Sequence, residues 1–115
     1  RQQDRRLGAE LYQEIDVFLS PTVIMTAFPV GEPTAPFGGE AVNPRVHPVL
    51  MYLTSLGDFN GYPVLSLPCG FSRDGLPIGF QIQGSPFAES RVFQVAYAYE
   101  RAHPEIGERK CGLWK

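Results

Sequence analysis

The sequence predicts an α/β chain whose elements run α-β-loop-β-β-α. Three observations carry this. An apolar stripe with helical spacing opens the chain, a period-two alternation follows an Asp-Gly turn, and a second helical stripe precedes the tail. At 115 residues the chain has the length of one domain and buries a single core without disulfide staples. Gly and Pro make up a fifth of the residues, against about 12% on average, so short elements joined by many turns are expected.

The first helix is expected over about 3–15. Leu7, Leu11 and Ile15 recur at i, i+4 and i+8, with Arg6, Glu10 and Glu14 on the polar face. Asp16-Val17-Phe18-Leu19-Ser20 reads as a short, largely buried strand that Pro21 ends, because proline donates nothing to a ladder. Residues 21–48 hold six prolines and three glycines and read as one long Pro/Gly-rich loop. Such a loop is either an active-site wall or a surface arm resting on a partner. A helical turn is expected at 49–53, leading towards Gly57.

A hairpin follows, with strands at 62–68 and 76–83 around Ser72-Arg73-Asp74-Gly75, where Asp-Gly supplies the positive φ that a tight turn needs. Ile78, Phe80 and Ile82 alternate with Gly79, Gln81 and Gln83, so one face is buried and the other is wet or covered from outside the chain. The last helix is expected over 87–103, with Val92, Ala96, Tyr99 and His103 on one stripe that Val95, Ala98 and Ala102 widen. Ser85-Pro86 suits its start and Pro104 its end, leaving 105–115 as a frayed tail.

Twelve acidic residues against ten basic ones give a net charge of −2, which excludes nucleic-acid binding through a basic face. No apolar run approaches a membrane span, and Arg1-Gln2-Gln3-Asp4-Arg5-Arg6 contains no apolar signal-peptide core. A start at Arg instead of Met implies that something upstream has been cut away. Cys69 and Cys111 form no CxxC pair and read as free cytosolic thiols, with a disulfide left open. These features point to a cytoplasmic protein.

Catalytic templates fail one by one. GxSxG, HExxH and a phosphate-binding Gly loop are absent, which leaves no metal ligand set and no cofactor motif. His47 stands alone between Val46 and Pro48. Lys110 and Lys115 sit in the tail, where a solvated amine keeps too high a pKa to act as a base. Cys69 has only apolar neighbours and reads as a buried structural cysteine.

The motifs themselves carry a resemblance. Asp16-Val17-Phe18-Leu19-Ser20-Pro21-Thr22, Ala27-Phe28-Pro29-Val30-Gly31-Glu32, Gly61-Tyr62-Pro63-Val64-Leu65-Ser66-Leu67-Pro68-Cys69-Gly70-Phe71 and Gly75-Leu76-Pro77-Ile78-Gly79-Phe80-Gln81-Ile82-Gln83-Gly84 follow one another in order. With Pro86-Phe87 and Ala98-Tyr99-Glu100, they resemble the C-terminal region of the amidase signature family across nearly all of 1–115. The resemblance implies a hydrolase of carbon–nitrogen bonds, or a glutamine-using amidotransferase component, built on a larger mixed sheet. This chain would contribute three strands and no catalytic residue, because the family's two serines and lysine lie N-terminal to the matched region.

The pocket-lining segment that the resemblance implies is Leu53-Thr54-Ser55-Leu56-Gly57-Asp58, where relatives commonly show Phe-Thr-x-Pro-x-Asn. Thr54, Gly57 and Asp58 are then either substrate contacts or only turn and packing residues. Asp58 accepts hydrogen bonds but, unlike Asn, donates none when ionised. The tRNA-dependent amidotransferases tend to be acidic where Met51 stands, which favours a general amidase. Ala88 replaces a common Asp cap, a role open to Ser85. The implied partners are the remainder of an amidase chain and a small amide substrate, with no cofactor. The alternative is a non-catalytic module that binds a partner or dimerises through an exposed sheet.

Overall fold

The strand β5 (Pro77–Gly84) lies at the centre of a three-stranded antiparallel sheet, between β1 (Val17–Pro21) and β4 (Val64–Phe71). The computed structural model describes residues 2–43 and 49–108. Three further elements surround the sheet: α1 (Gln2–Leu11), α2 (Val49–Asn60) and α3 (Glu89–Ala102). A two-stranded hairpin, β2 (Ala35–Phe37) with β3 (Glu40–Val42), and a short α4 (Pro104–Glu108) complete the fold.

The predicted β4–β5 hairpin forms around its Asp-Gly turn, with Gly75 at φ 80° and its N–H bonded to Ser72 O at 3.0 Å. Strand β4 runs on past Pro68 to Phe71 by means of a bulge, in which Pro68 pairs with Gly79 and Gly70 with Ile78. An edge strand tolerates the missing proline donor, and the extra residue, Cys69, donates its thiol to Ile78 O at 3.5 Å. Cys69 is a free thiol, half-buried and not fully enclosed. Pro21 likewise falls inside β1 as its last residue, paired with Phe80, because β1 is the other edge.

One face of the sheet carries the core. Leu67 and Ile82 pack against Val92 and Ala96 of α3, and Val17, Leu65, Phe80, Val95 and Tyr99 surround them. Ile82 is wholly enclosed. The predicted stripe on α3 therefore meets the sheet, although Ala98 and Ala102 point to solvent and do not widen it. The Phe80 and Tyr99 rings meet edge-on at 4.8 Å, and Tyr99 leads on to the His103 ring at 4.7 Å.

Several expectations need correcting. Residues 21–48 are not one loop, because Gly38-Gly39, both at positive φ, close the β2–β3 hairpin as a two-residue turn. Residues 49–53 are the first turns of the twelve-residue α2, which ends where Gly61 adopts φ 70° and bonds back to Gly57 O at 2.8 Å. Ser85 does not cap α3 with its side chain; Ala88 is the cap residue and its N–H bonds Ser85 O instead. Pro104 does not simply stop the chain, since it opens α4, where a first helical position needs no N–H. His47, Cys111 and tail residues 109–115 lie outside the described residues.

Helix α1 stops at Leu11, its last bonds tightening into a turn through Glu14. Leu11 is 45% exposed on the side of α1 that lines a shared cavity, and the close contacts there are those of Gly8 and Tyr12. A Cβ on Gly8 would sit 2.5 Å from the Tyr62 hydroxyl, so only glycine lets that ring approach the helix. Tyr12 meets Tyr62 edge-on at 5.7 Å and donates its hydroxyl to Gln83 O at 3.1 Å.

Burial pushes the Tyr12 phenol above its ordinary range, a hydrogen bond from the Gln83 side-chain amide opposes the shift, and nearby Tyr62 adds to it. The folded state thus favours the protonated ring. Its contribution is complete below the unfolded pKa near 10 and is lost as pH rises through the higher folded value. Urea unfolding between about pH 9 and 12 is expected to show stability falling with pH. Tyr12→Phe should lower stability at the start of that range and flatten the fall, and an unchanged slope would refute the assignment.

Candidate functional site

Thr54, Gly57 and Asp58 lie at i, i+3 and i+4 on α2, which puts all three on one helix face. That face borders an open cleft of about 610 Å³, which α2 shares with the 61–66 segment, Thr22 after β1, Gln81 of β5 and Glu89 of α3. The three residues singled out in the sequence therefore come together, on a helix and not in a turn.

Each has a distinct local role. The Thr54 hydroxyl donates to Met51 O one turn back at 3.1 Å, so towards the cleft it offers lone pairs. Gly57 is buried where α2 crosses β4, and a Cβ there would lie 2.5 Å from Val64 Cγ2. Its smallness sets the depth of the helix against the strand. Asp58 is exposed at the rim.

Gln81 fastens this helix to the sheet. It is 3% exposed, and its side-chain nitrogen donates to Leu53 O at 2.9 Å and to Ser20 Oγ at 3.0 Å. Leu53 adjoins Thr54, so the amide holds the turn of α2 that carries the candidate residues. The expectation of a wet or externally covered glutamine face is thus overturned: Gln81 and Gln83 are both buried within the chain. Strand β5 is also the central strand, so it offers no free edge for pairing.

Two cleft residues escaped the sequence reading. Thr22 Oγ1 and Ser66 Oγ lie 2.6 Å apart, and Ser66 also reaches Phe80 O at 3.4 Å. The Ser66 hydroxyl is thus shared between Thr22, where either hydroxyl can be the donor, and the backbone carbonyl of Phe80. Gly79 makes room for the pair, since a Cβ there would stand 3.2 Å from Thr22 Oγ1. The signals were Ser66 on the polar phase of β4 and Thr22 directly after the edge proline, but 44 residues separate the two.

Charge in the cleft is one-sided. Its ionisable carboxylates are Asp58 and Glu89, and among the described residues no Lys, Arg or His lines it. Such a lining disfavours an anionic ligand and accepts hydrogen bonds from a neutral amide N–H or from a cation. Among the described residues no cluster of His, Cys, Asp and Glu could hold a metal, and no helix is long and apolar enough to cross a membrane.

Comparison with known proteins adds a family. The family model described as Amidase matches residues 1–93. The A subunit of glutamyl-tRNA(Gln) amidotransferase from a Cyanothece species is 44% identical over 97 residues, covering 81% of this chain and 18% of the relative. The crystal structure of the Thermotoga maritima protein of the same name matches with a TM-score of 0.70 and 32% identity, over 84% of this chain and 20% of that one. The structure of 6-aminohexanoate cyclic dimer hydrolase matches with a TM-score of 0.76 and 26% identity, over 100% of this chain and 25% of that one. The chain spans about a fifth of the length of the curated relatives it matches.

Proposed function

The chain belongs to the amidase family, and from that premise we propose that it is the C-terminal, substrate-facing part of an enzyme hydrolysing carbon–nitrogen bonds of amides. It supplies sheet strands and one wall of the pocket, and the reactive serines and lysine lie on the remainder of the protein. The observation that carries this reading is the shared cleft of Thr54, Gly57 and Asp58. Its acidic lining supports a neutral or cationic amide as substrate. The engagement of the Ser66 hydroxyl by Thr22 and the Phe80 carbonyl supports a structural serine and not a nucleophile. Met51, an exposed thioether on α2, brings no charge where the resemblance places an acidic residue in tRNA-dependent amidotransferases, which supports a general amidase.

A second reading, an interaction module, is favoured by exposed apolar side chains on α2 and α3: Tyr52, Phe59, Phe93 and Tyr97 are each more than 60% exposed. Large apolar side chains left this exposed mark surface that something else covers, and the first reading covers it with the rest of the amidase.

Kinetics separate the two. In the full-length protein, Asp58→Ala is expected to raise KM for benzamide about tenfold with kcat within about twofold, the mark of a lost binding contact. The 115-residue chain alone should release no ammonia from benzamide. An unchanged KM removes Asp58 from the pocket, and a full-length protein that turns over no amide but self-associates in light scattering favours the module.

A further inference from the structure

Helix α2 carries the candidate residues, yet little of it is packed. Among its described residues only Gly57 is buried, while Met51, Tyr52, Leu56, Asp58 and Phe59 are exposed. Apolar burial therefore gives this helix little hold on the sheet, in contrast to α3, whose Val92 and Ala96 are enclosed against Leu67 and Ile82. Two contacts hold α2 to the strands: the close approach of Gly57 to Val64, and the bond from Gln81 to Leu53 O.

Gln81 suits that task. Its side chain leaves the central strand on the face opposite Ile82, and the register sets Ser20 of β1 and Ser66 of β4 on either side of it. An amide nitrogen carries two protons, and both are in use, one on Leu53 O at 2.9 Å and one on Ser20 Oγ at 3.0 Å. At 3% exposure the group has no donor left for a ligand in the cleft. It ties the edge strand β1, through the central strand, to the turn of α2 that holds Thr54, Gly57 and Asp58. Buried bonds of this kind are costly to lose, because the group left behind is cut off from water.

We propose that Gln81 is a positioning residue for amide binding: by holding the Leu53 turn against the sheet, it sets where Thr54 and Asp58 face the cleft. The inference rests on the cleft being the amide pocket, and it adds a residue that never touches the substrate. The apolar core lies on the other face of the sheet, so loss of the tether loosens the pocket wall without emptying the core.

Two measurements on the full-length protein test it, one of them without reference to activity. Gln81→Met keeps the length of the side chain but has no donor. In this variant the backbone amides of residues 53–58 should exchange with deuterium about tenfold faster, a larger factor than any change at Leu67 and Ile82. The same variant should raise KM for benzamide about five- to tenfold with kcat within about twofold. A role only in stability would lower the active fraction, and hence kcat, and leave KM alone. In the Asp58→Ala background, Gln81→Met should raise KM further by no more than about twofold, because both changes lose the same contact. If Gln81→Met does not fold, Ser20→Ala removes one of the two partners and should raise KM about threefold, again without loss of kcat. Native exchange rates over 53–58, or an unchanged KM beside a clear rise in Asp58→Ala, overturn the proposal and leave the cleft reading standing. An unchanged KM in both variants removes the pocket itself, and the proposal with it.

Discussion

Ile82→Ala is expected to cost about 2–5 kcal/mol, a large share of the roughly 5–15 kcal/mol that holds a typical domain folded. Ile82 is wholly enclosed, on the central strand, between Leu67 on β4 and Val92 and Ala96 on α3. Its neighbours belong to a sheet paired on both sides of β5, so the void left behind collapses poorly. In urea the unfolding midpoint should fall by about 1–3 M, given slopes of about 1–3 kcal/mol per molar for small proteins. Ile82→Val should cost no more than about 1.5 kcal/mol. A loss below about 1 kcal/mol for the alanine variant would show that the α3 layer is not what stabilises the sheet.

Gly84→Val tests the same interface from the opposite direction, by overfilling. A Cβ on Gly84 would lie 2.8 Å from Val92 Cγ2 and 3.3 Å from Ala88 Cβ, so the start of α3 rests directly on the strand backbone. The backbone has little freedom to yield, because the Gly84 N–H is bonded to Pro63 O at 3.0 Å and the residue pairs with Val17. Overpacking of this kind costs about 1–3 kcal/mol, and a valine belongs at the upper end. Combining it with Val92→Ala should recover part of the loss, a coupling that a double-mutant cycle reads directly. Strict additivity of the two changes would mean that the helix had moved away instead of clashing.

How far the sequence foretold this molecule depended on the range of each signal. The β4–β5 hairpin and α3 were legible because their determinants are local: Asp74-Gly75 fixes the turn, and Val92 and Ala96 fall on one helical stripe. The β2–β3 hairpin carries an equally local signal in Gly38-Gly39, but six prolines across 21–48 hid it. Hydrophobic spacing points to the Leu11 side of α1, but the role of Gly8 was not legible, because it comes from the close approach of a Tyr62 ring 54 residues on. Burial of Gln81 was not legible at all. Its partner is a helix carbonyl 28 residues away, and alternation gives the face of a strand but not what covers it. In the cleft, Thr54, Gly57 and Asp58 were found through the family motif, not from chemistry, and Thr22 and Ser66 meet only once the sheet is assembled.

The bulge at Cys69 makes the two sides of the sheet unequal. Among the described residues β1 and β4 are its outer strands. Strand β4 is interrupted by Pro68 and kinked by the extra residue, features that blunt a rim against templated growth. Strand β1 pairs without a bulge over Val17–Pro21, carries its proline only at the last position, and turns Leu19, 54% exposed, outward. If the protein forms fibres under stress, addition therefore begins at β1, and a lysine in place of Leu19 is the change that would keep it in solution.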